Sequence, residues 1–248
     1  MKNATSFGKQ AATYAKGRPG YPPALYQWIS ENSPALSRVW DIGTGSGQAA
    51  RALTEYFEAV YATDISADQI GAATPHPQIS YHVAPAQDSG LEDISVDCMT
   101  VATALHWFAD VPFWAEVKRV AVDTAFFCAW TYQLPLCEPT IHTQFLDPLF
   151  DLIDPYWAEG NRLCMEGYTA ENLKCPLPTI SAPSFDAGGL WTARQFVNFV
   201  ESWSAHFRAR EDGLAQDLEA LSAKFITDRG DKAIDFRLPI SVLAARIP

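Results

Sequence analysis

The sequence predicts a doubly wound α/β protein on a mainly parallel seven-stranded sheet, with an N-terminal helical lid and an inserted helical cap. Three observations carry that expectation. Short apolar runs alternate with amphipathic stretches; a turn with three alternately spaced glycines follows the first of those runs; and the chain is long enough to cover both faces of a sheet. With 248 residues, 48% hydrophobic and 19% charged, it reads as one domain, 1–248, rather than two.

The elements follow in order. Residues 1–33 form the lid, with a helix over 10–16, a Gly-Arg-Pro-Gly-Tyr-Pro-Pro turn, and a second helix over 24–32 that Pro22 and Pro23 suit as a start. Residues 34–133 hold strands at 39–42, 60–63, 79–83, 98–103 and 125–130, bounded by Gly, Pro, Asp or Ser, with helices at 47–57, 67–73 and 111–120 between them. Strand-helix-strand units of this kind cross over right-handedly, and their ligands lie at the carboxyl ends of the strands. Residues 134–179 are rich in proline and bulky apolar side chains, too apolar for a linker, and read as a cap carrying a helix over 140–153. Residues 180–248 close the fold with a strand at 180–185, helices at 192–206 and 214–225, and a last strand at 240–247.

Composition narrows the function. A formal charge of -11, with no run of basic residues, opposes binding to nucleic acid, whose affinity rests on Lys and Arg neutralising phosphates. No apolar run reaches the roughly 18 residues of a membrane helix, and the first residues lack the continuous apolar stretch of a secretory signal. Five cysteines without a Cys-x-x-Cys pair read as free thiols, so a cytoplasmic protein with no metal site is expected. The expected partner is a small molecule, and the expected state is a monomer or a homodimer.

The informative segment is Val39-Trp40-Asp41-Ile42-Gly43-Thr44-Gly45-Ser46-Gly47. Glycines permit positive φ, and their missing side chains let main chain come close to a ligand lying across the strand end. Asp41 can accept hydrogen bonds from a ligand ammonium, directly or through water. A dinucleotide loop needs a glycine where Gln48 stands, and the Gly-Lys-Ser/Thr of a Walker loop is absent, so the loop suits a nucleoside without a phosphate chain. Asp64 ends the second strand 23 residues beyond Asp41, near the spacing at which an acid meets a ribose in this topology, and Ile65 beside it would pack on a base.

These residues resemble the class I S-adenosylmethionine-dependent methyltransferases: Asp41 to Gly47 is similar to their first motif and Asp64 to their ribose-binding acid. The resemblance is strongest to the branch containing trans-aconitate methyltransferases, and two further stretches share it, Tyr14 through Arg18-Pro19 to Tyr21-Pro22 and Leu105-His106-Trp107-Phe108. It implies a Rossmann-like fold, S-adenosylmethionine as cofactor and methyl transfer to a small molecule at a carboxylate or hydroxyl oxygen. It also implies that Ala86 and either Gln87 or Asp88 meet adenine, Gln87 standing where an acid is frequent. Tyr14 and Arg18 would close over the cofactor, and Thr44 and Thr103 complete the cofactor set.

In-line methyl transfer depends mainly on alignment and exclusion of water, with a base near pKa 6–7 where the acceptor is a hydroxyl or amine. His106, just past the fourth strand, is the candidate base, and Trp107 the candidate wall or cation–π face for a sulfonium. His142, Trp157, Arg162, Trp203 and His206 are candidate pocket residues, with Arg162 or Arg208 the clamp for an acidic acceptor. Fold does not fix function, so two rivals stand beside methyl transfer: another reaction on the same fold, such as a cyclisation, and a non-catalytic partner subunit.

Overall fold

In the central sheet every second side chain faces the same way, and that alternation builds two hydrophobic layers. Val39, Cys98, Phe126, Cys128 and Trp130 are buried in one layer; their neighbours Trp40, Met99, Phe127 and Ala129 are buried in the other. The computed structural model describes residues 19–248. Its strands are β1 (Arg38–Ile42), β2 (Ala59–Asp64), β3 (Ile79–Val83), β4 (Val96–Ala102), β5 (Ala121–Tyr132), β6 (Leu136–Cys137), β7 (Thr179–Ile180), β8 (Phe185–Asp186), β9 (Gly189–Trp191), β10 (Ile234–Arg237) and β11 (Pro239–Arg246).

The main sheet has the order β3-β2-β1-β4-β5-β11-β7, with β8 also pairing β11. The first five strands are parallel; β11 runs antiparallel to both β5 and β7. This is the doubly wound, mainly parallel fold expected, seven strands on its path. The chain steps outward from β1 to β3 and then returns to place β4 beside β1. The crevice beyond the carboxyl ends of β1 and β4 is therefore the switch point at which ligands of such sheets bind.

The helices of this half are α1 (Pro23–Asn32), α2 (Gln48–Leu53), α3 (Ala67–Ala72) and α4 (Val111–Val120). Pro23 occupies the first turn of α1, where its missing N–H costs nothing. In α4, Phe113, Trp114, Val117 and Val120 recur at helical spacing and are buried, while the Asp110 carboxylate caps Phe113 N–H at 2.9 Å. Trp40 is fully buried, and its indole N–H donates to Thr63 Oγ1 across β1 and β2 at 2.9 Å.

Beyond β5 several elements differ from expectation. The helix expected over 140–153 is a turn at Pro139–Ile141, a π-helical turn at His142–Leu146 and α5 (Asp147–Ile153). Pro148 has no N–H for the carbonyl one turn back, and the turn before it is widened. α6 (Glu159–Glu166) follows, unanticipated. The strand expected at 180–185 is split into β7 and β8 around Pro183, which lacks the N–H a ladder needs. The helix expected at 192–206 breaks at Ser202-Trp203 into α7 (Ala193–Glu201) and α8 (Ser204–Ala209), and α9 (Ala215–Arg229) completes the set. A second sheet of order β6-β10-β9, also unanticipated, lies in this region. No helix among the described residues is long and apolar enough to cross a membrane, and they include no group of three or more His, Cys, Asp or Glu placed to hold a metal.

Candidate functional site

The chain leaves β1 through Gly43, Gly45 and Gly47, all at positive φ (65°, 57° and 85°). At Gly47 a Cβ would lie 2.2 Å from the Tyr81 hydroxyl, so packing as well as backbone conformation requires glycine there. Gly45 is different. A Cβ there would meet only Gln69 Oε1, at 3.8 Å, so a side chain at this position would fill open space over the crevice. The loop is tied down from beneath: Thr44 N–H donates to Thr63 O, and Gly47 N–H to Thr44 O.

Asp41 is wholly buried, and its two oxygens accept from the hydroxyls of Thr44 (2.6 Å) and Thr100 (2.9 Å). Burial raises its pKa to about 6, against the opposing effect of the two hydroxyl hydrogen bonds, and nearby Asp64 adds to the rise. Asp41 thus couples the glycine loop to β4. Asp64 lies at the end of β2, where Gly45 N–H and Ser66 N–H donate to its separate oxygens at 2.9 and 2.8 Å. Burial raises its pKa, and these backbone bonds oppose the rise. Ile65 and Val83 flank it with large apolar side chains 53% and 56% exposed, and Val83 is its partner in register on β3. Past β3 the chain turns through Ala86, Gln87 and Asp88; Ala86 is buried, Gln87 half-buried and Asp88 exposed. Gln87 Nε2 donates to Asp110 Oδ2 at 3.1 Å.

At the end of β4, Thr103 adopts φ +50°, a conformation that is costly for a β-branched residue. Its N–H donates to Trp130 O, and its hydroxyl lies 2.9 Å from that of Tyr21. Tyr21 in turn stacks on Tyr132 with ring centroids 4.7 Å apart. Pro19 O accepts from the Tyr132 hydroxyl (2.5 Å) and from Gln48 Nε2 (3.2 Å), which draws the N-terminal segment across the crevice between α2 and β5. Tyr14 and Arg18 lie outside the described residues.

Leu105–Trp107 form a short 3-10 turn. His106 Nδ1 lies 2.7 Å from the Tyr168 hydroxyl and 3.2 Å from Cys164 Sγ, so the residues following β4 meet the cap at this histidine. Burial holds Tyr168 well above its usual pKa, hence neutral, its hydroxyl able either to donate to His106 Nδ1 or to accept from it. His106, Trp107 and Thr103 line a cleft enclosing about 80 Å³, walled also by Tyr132, Trp157 and Trp203. The other cap candidates do not line it. His142 faces Asp147, Arg162 pairs with Asp154, and Arg208 donates to Tyr156 O. His206 is buried, and desolvation lowers its pKa to about 4, with Arg210 adding to the effect.

Sequence reasoning missed Tyr21, Thr100, Asp110, Tyr132, Cys164 and Tyr168. Only Tyr21, within the Tyr21-Pro22 stretch, carried a local signal. The residues present fit the adenosyl amino acid that the resemblance implies. The loop offers bare main chain facing open space at Gly45. Each Asp64 oxygen has spent one lone pair and keeps another for a ribose hydroxyl. A pair of apolar side chains stands beside it for a base.

Comparison with known proteins gives the family. Residues 40–129 match the family model described as a methyltransferase domain. A solved structure from Anaeromyxobacter dehalogenans, described as that of a type II methyltransferase, is similar with a TM-score of 0.83 and 36% identity, covering 93% of this chain and 98% of that one. A Dictyostelium discoideum protein whose name gives it as a methyltransferase is 27% identical over 249 residues, 97% of this chain and 94% of its own. The phosphoethanolamine N-methyltransferase 2 of Haemonchus contortus, solved with S-adenosyl-L-methionine, shares the fold, with a TM-score of 0.51 and 16% identity over 97% of this chain and 57% of that one.

Proposed function

As the chain belongs to the class I S-adenosylmethionine-dependent methyltransferases, we propose that it methylates a hydroxyl oxygen on a small acceptor with an apolar body, using His106 as base. Its cofactor, S-adenosylmethionine, supplies an electrophilic methyl group. One observation carries the acceptor reading: the cleft beside His106 is walled by aromatic rings, and its polar side chains, Thr103, Gln133 and Asn161 among them, are neutral. Neither Arg162 nor Arg208 lines this cleft, which favours a hydroxyl over a carboxylate.

The chain's own residues divide the work. Gly45 and Gly47 present main chain to the cofactor, Asp64 takes the ribose hydroxyls, and Asp41 holds the loop against β4 with charge available to a ligand ammonium. Asp64 is half-buried and Asp41 buried, so their charges act in a medium that screens them weakly. Tyr168 orients His106: with Nδ1–H donated to its hydroxyl, the basic lone pair lies on Nε2 and takes the acceptor's proton as the oxygen attacks. Pro19 to Tyr21 cover the crevice and exclude water.

Incubation with S-adenosylmethionine labelled in the methyl group and a metabolite extract tests this reading. Label is expected in a neutral, organic-extractable ether product together with S-adenosylhomocysteine, and its transfer should fall at least about tenfold in His106→Ala. Label recovered only as base-labile ester would refute the hydroxyl reading, and unchanged transfer by His106→Ala would refute the base.

A further inference from the structure

We propose that Cys164 is a positioning residue for methyl transfer: its sulfur lies on the face of the His106 imidazole and, with Gly160 one turn earlier on α6, fixes the plane in which the ring meets the acceptor. The proposal rests on His106 acting as base and deepens that reading.

Two distances place the sulfur. Cys164 Sγ is 3.2 Å from His106 Nδ1 and 3.8 Å from Nε2. A partner in the ring plane on the Nδ1 lone pair points away from Nε2 and would lie much farther from it. Anywhere else in that plane, the same two distances would drive the sulfur into the ring carbons. The thiol therefore sits over the face of the ring, a contact that suits polarisable sulfur. The in-plane position at Nδ1 is left to the Tyr168 hydroxyl, at 2.7 Å.

The imidazole needs such a contact. The torsion that turns a histidine ring is broad, so rotamer preference leaves its plane open. A hydrogen bond at Nδ1 fixes a point, and the ring can still tilt about it. Tyr168 is anchored to the central sheet, its N–H donating to Ser241 Oγ on β11 at 2.8 Å. The cap helix α6 supplies the second restraint. Gly160 and Cys164 are four residues apart and so share a face of that helix. A Cβ at Gly160 would come within 3.3 Å of both His106 Cδ2 and His106 O, so bare main chain is what lets the helix approach this closely. Between α6 and Tyr168 the ring keeps one plane at the wall of the cleft, which His106 and Cys164 both line.

Cys164→Ala removes the sulfur, and Cys164→Ser restores most of its bulk. Transfer of label from methyl-labelled S-adenosylmethionine to a metabolite extract is expected to fall about tenfold in Cys164→Ala and to recover to within about threefold of wild type in Cys164→Ser. Gly160→Ala presses on the same ring from the same helix and is expected to slow transfer by about tenfold as well. Calorimetric affinity for S-adenosylhomocysteine should stay within about twofold in all three variants, with melting temperature as the check on folding. Nuclear magnetic resonance of the histidine ring nitrogens in isotope-labelled protein, the His106 signals assigned by their loss in His106→Ala, reads the ring itself. Wild type should show a single tautomer, and Cys164→Ala an average of the two. Unchanged transfer or an unchanged ring spectrum in Cys164→Ala, with transfer still lost in His106→Ala, would overturn this proposal and leave the base in place. Full transfer by His106→Ala would overturn the base and this reading with it.

Discussion

Replacing Asp41 by Asn should make the protein more stable at neutral pH and a worse binder of its cofactor. Asp41 is fully buried, and its pKa stands at about 6 against 3.8 for an ordinary carboxyl. Between those values the folded chain binds more protons than the unfolded chain, so this group's contribution to stability declines as pH rises through the window. Above pH 6 the ionised side chain costs about 3 kcal/mol relative to its protonated form, at 1.36 kcal/mol per pKa unit. Asn mimics the protonated form: Oδ1 accepts one threonine hydroxyl, and Nδ2 donates to the other, which can rotate to receive it. Urea unfolding at pH 7.5 should show Asp41→Asn more stable by about 1–3 kcal/mol, with a melting temperature several degrees higher, and the gain should vanish below about pH 4. S-adenosylhomocysteine affinity should fall by about tenfold or more if the buried charge that costs stability is, as proposed, the one that meets the ligand ammonium. An equal stability difference at pH 4 and pH 7.5 would refute the buried-charge argument.

Three other outcomes follow from the same geometry. Gly45→Ala forces a side chain to φ +57° in otherwise open space, so calorimetry should show S-adenosylhomocysteine affinity reduced more than about tenfold while the fold loses only about 1–2 kcal/mol. Tyr168→Phe removes the partner of His106 Nδ1; methyl transfer should slow by about tenfold, the acid limb of its pH profile should move, and cofactor affinity measured by calorimetry should stay within about twofold. Glu116→Gln should destabilise the protein by about 1–3 kcal/mol at pH 7 in urea titrations, the difference shrinking as pH falls from 4.5 toward 2. Burial pushes the Glu116 carboxyl upward, but bonds from Arg119 and Ser89 outweigh it and hold the group at about 2.

The parts of the site legible in the sequence are those whose requirement is local to the backbone. Gly43, Gly45 and Gly47 are readable because positive φ excludes other residues cheaply, and β1, β2 and α4 because their apolar periods span whole elements. The second sheet was not readable: β6, β9 and β10 have two, three and four residues, too few for an alternation to stand above chance, although Ile234 and Phe236 do alternate inward. Pairings between distant elements were beyond reach for another reason. Thr100 meets Asp41 only because the chain crosses back from β3 to set β4 beside β1, and Tyr168 meets His106 across 62 residues only because the cap folds over that crossing. Thr103 shows the limit most sharply. A β-branched residue is the last that local propensity would place at φ +50°, and the backbone is held there by Trp130 O and the side chain by the Tyr21 hydroxyl, contacts supplied by β5 and the N-terminal segment. Local rules thus locate the glycine loop proposed to hold the cofactor, whereas the cleft proposed for the acceptor is assembled by tertiary contacts that override them, and the acceptor therefore has to be sought in the geometry of that cleft.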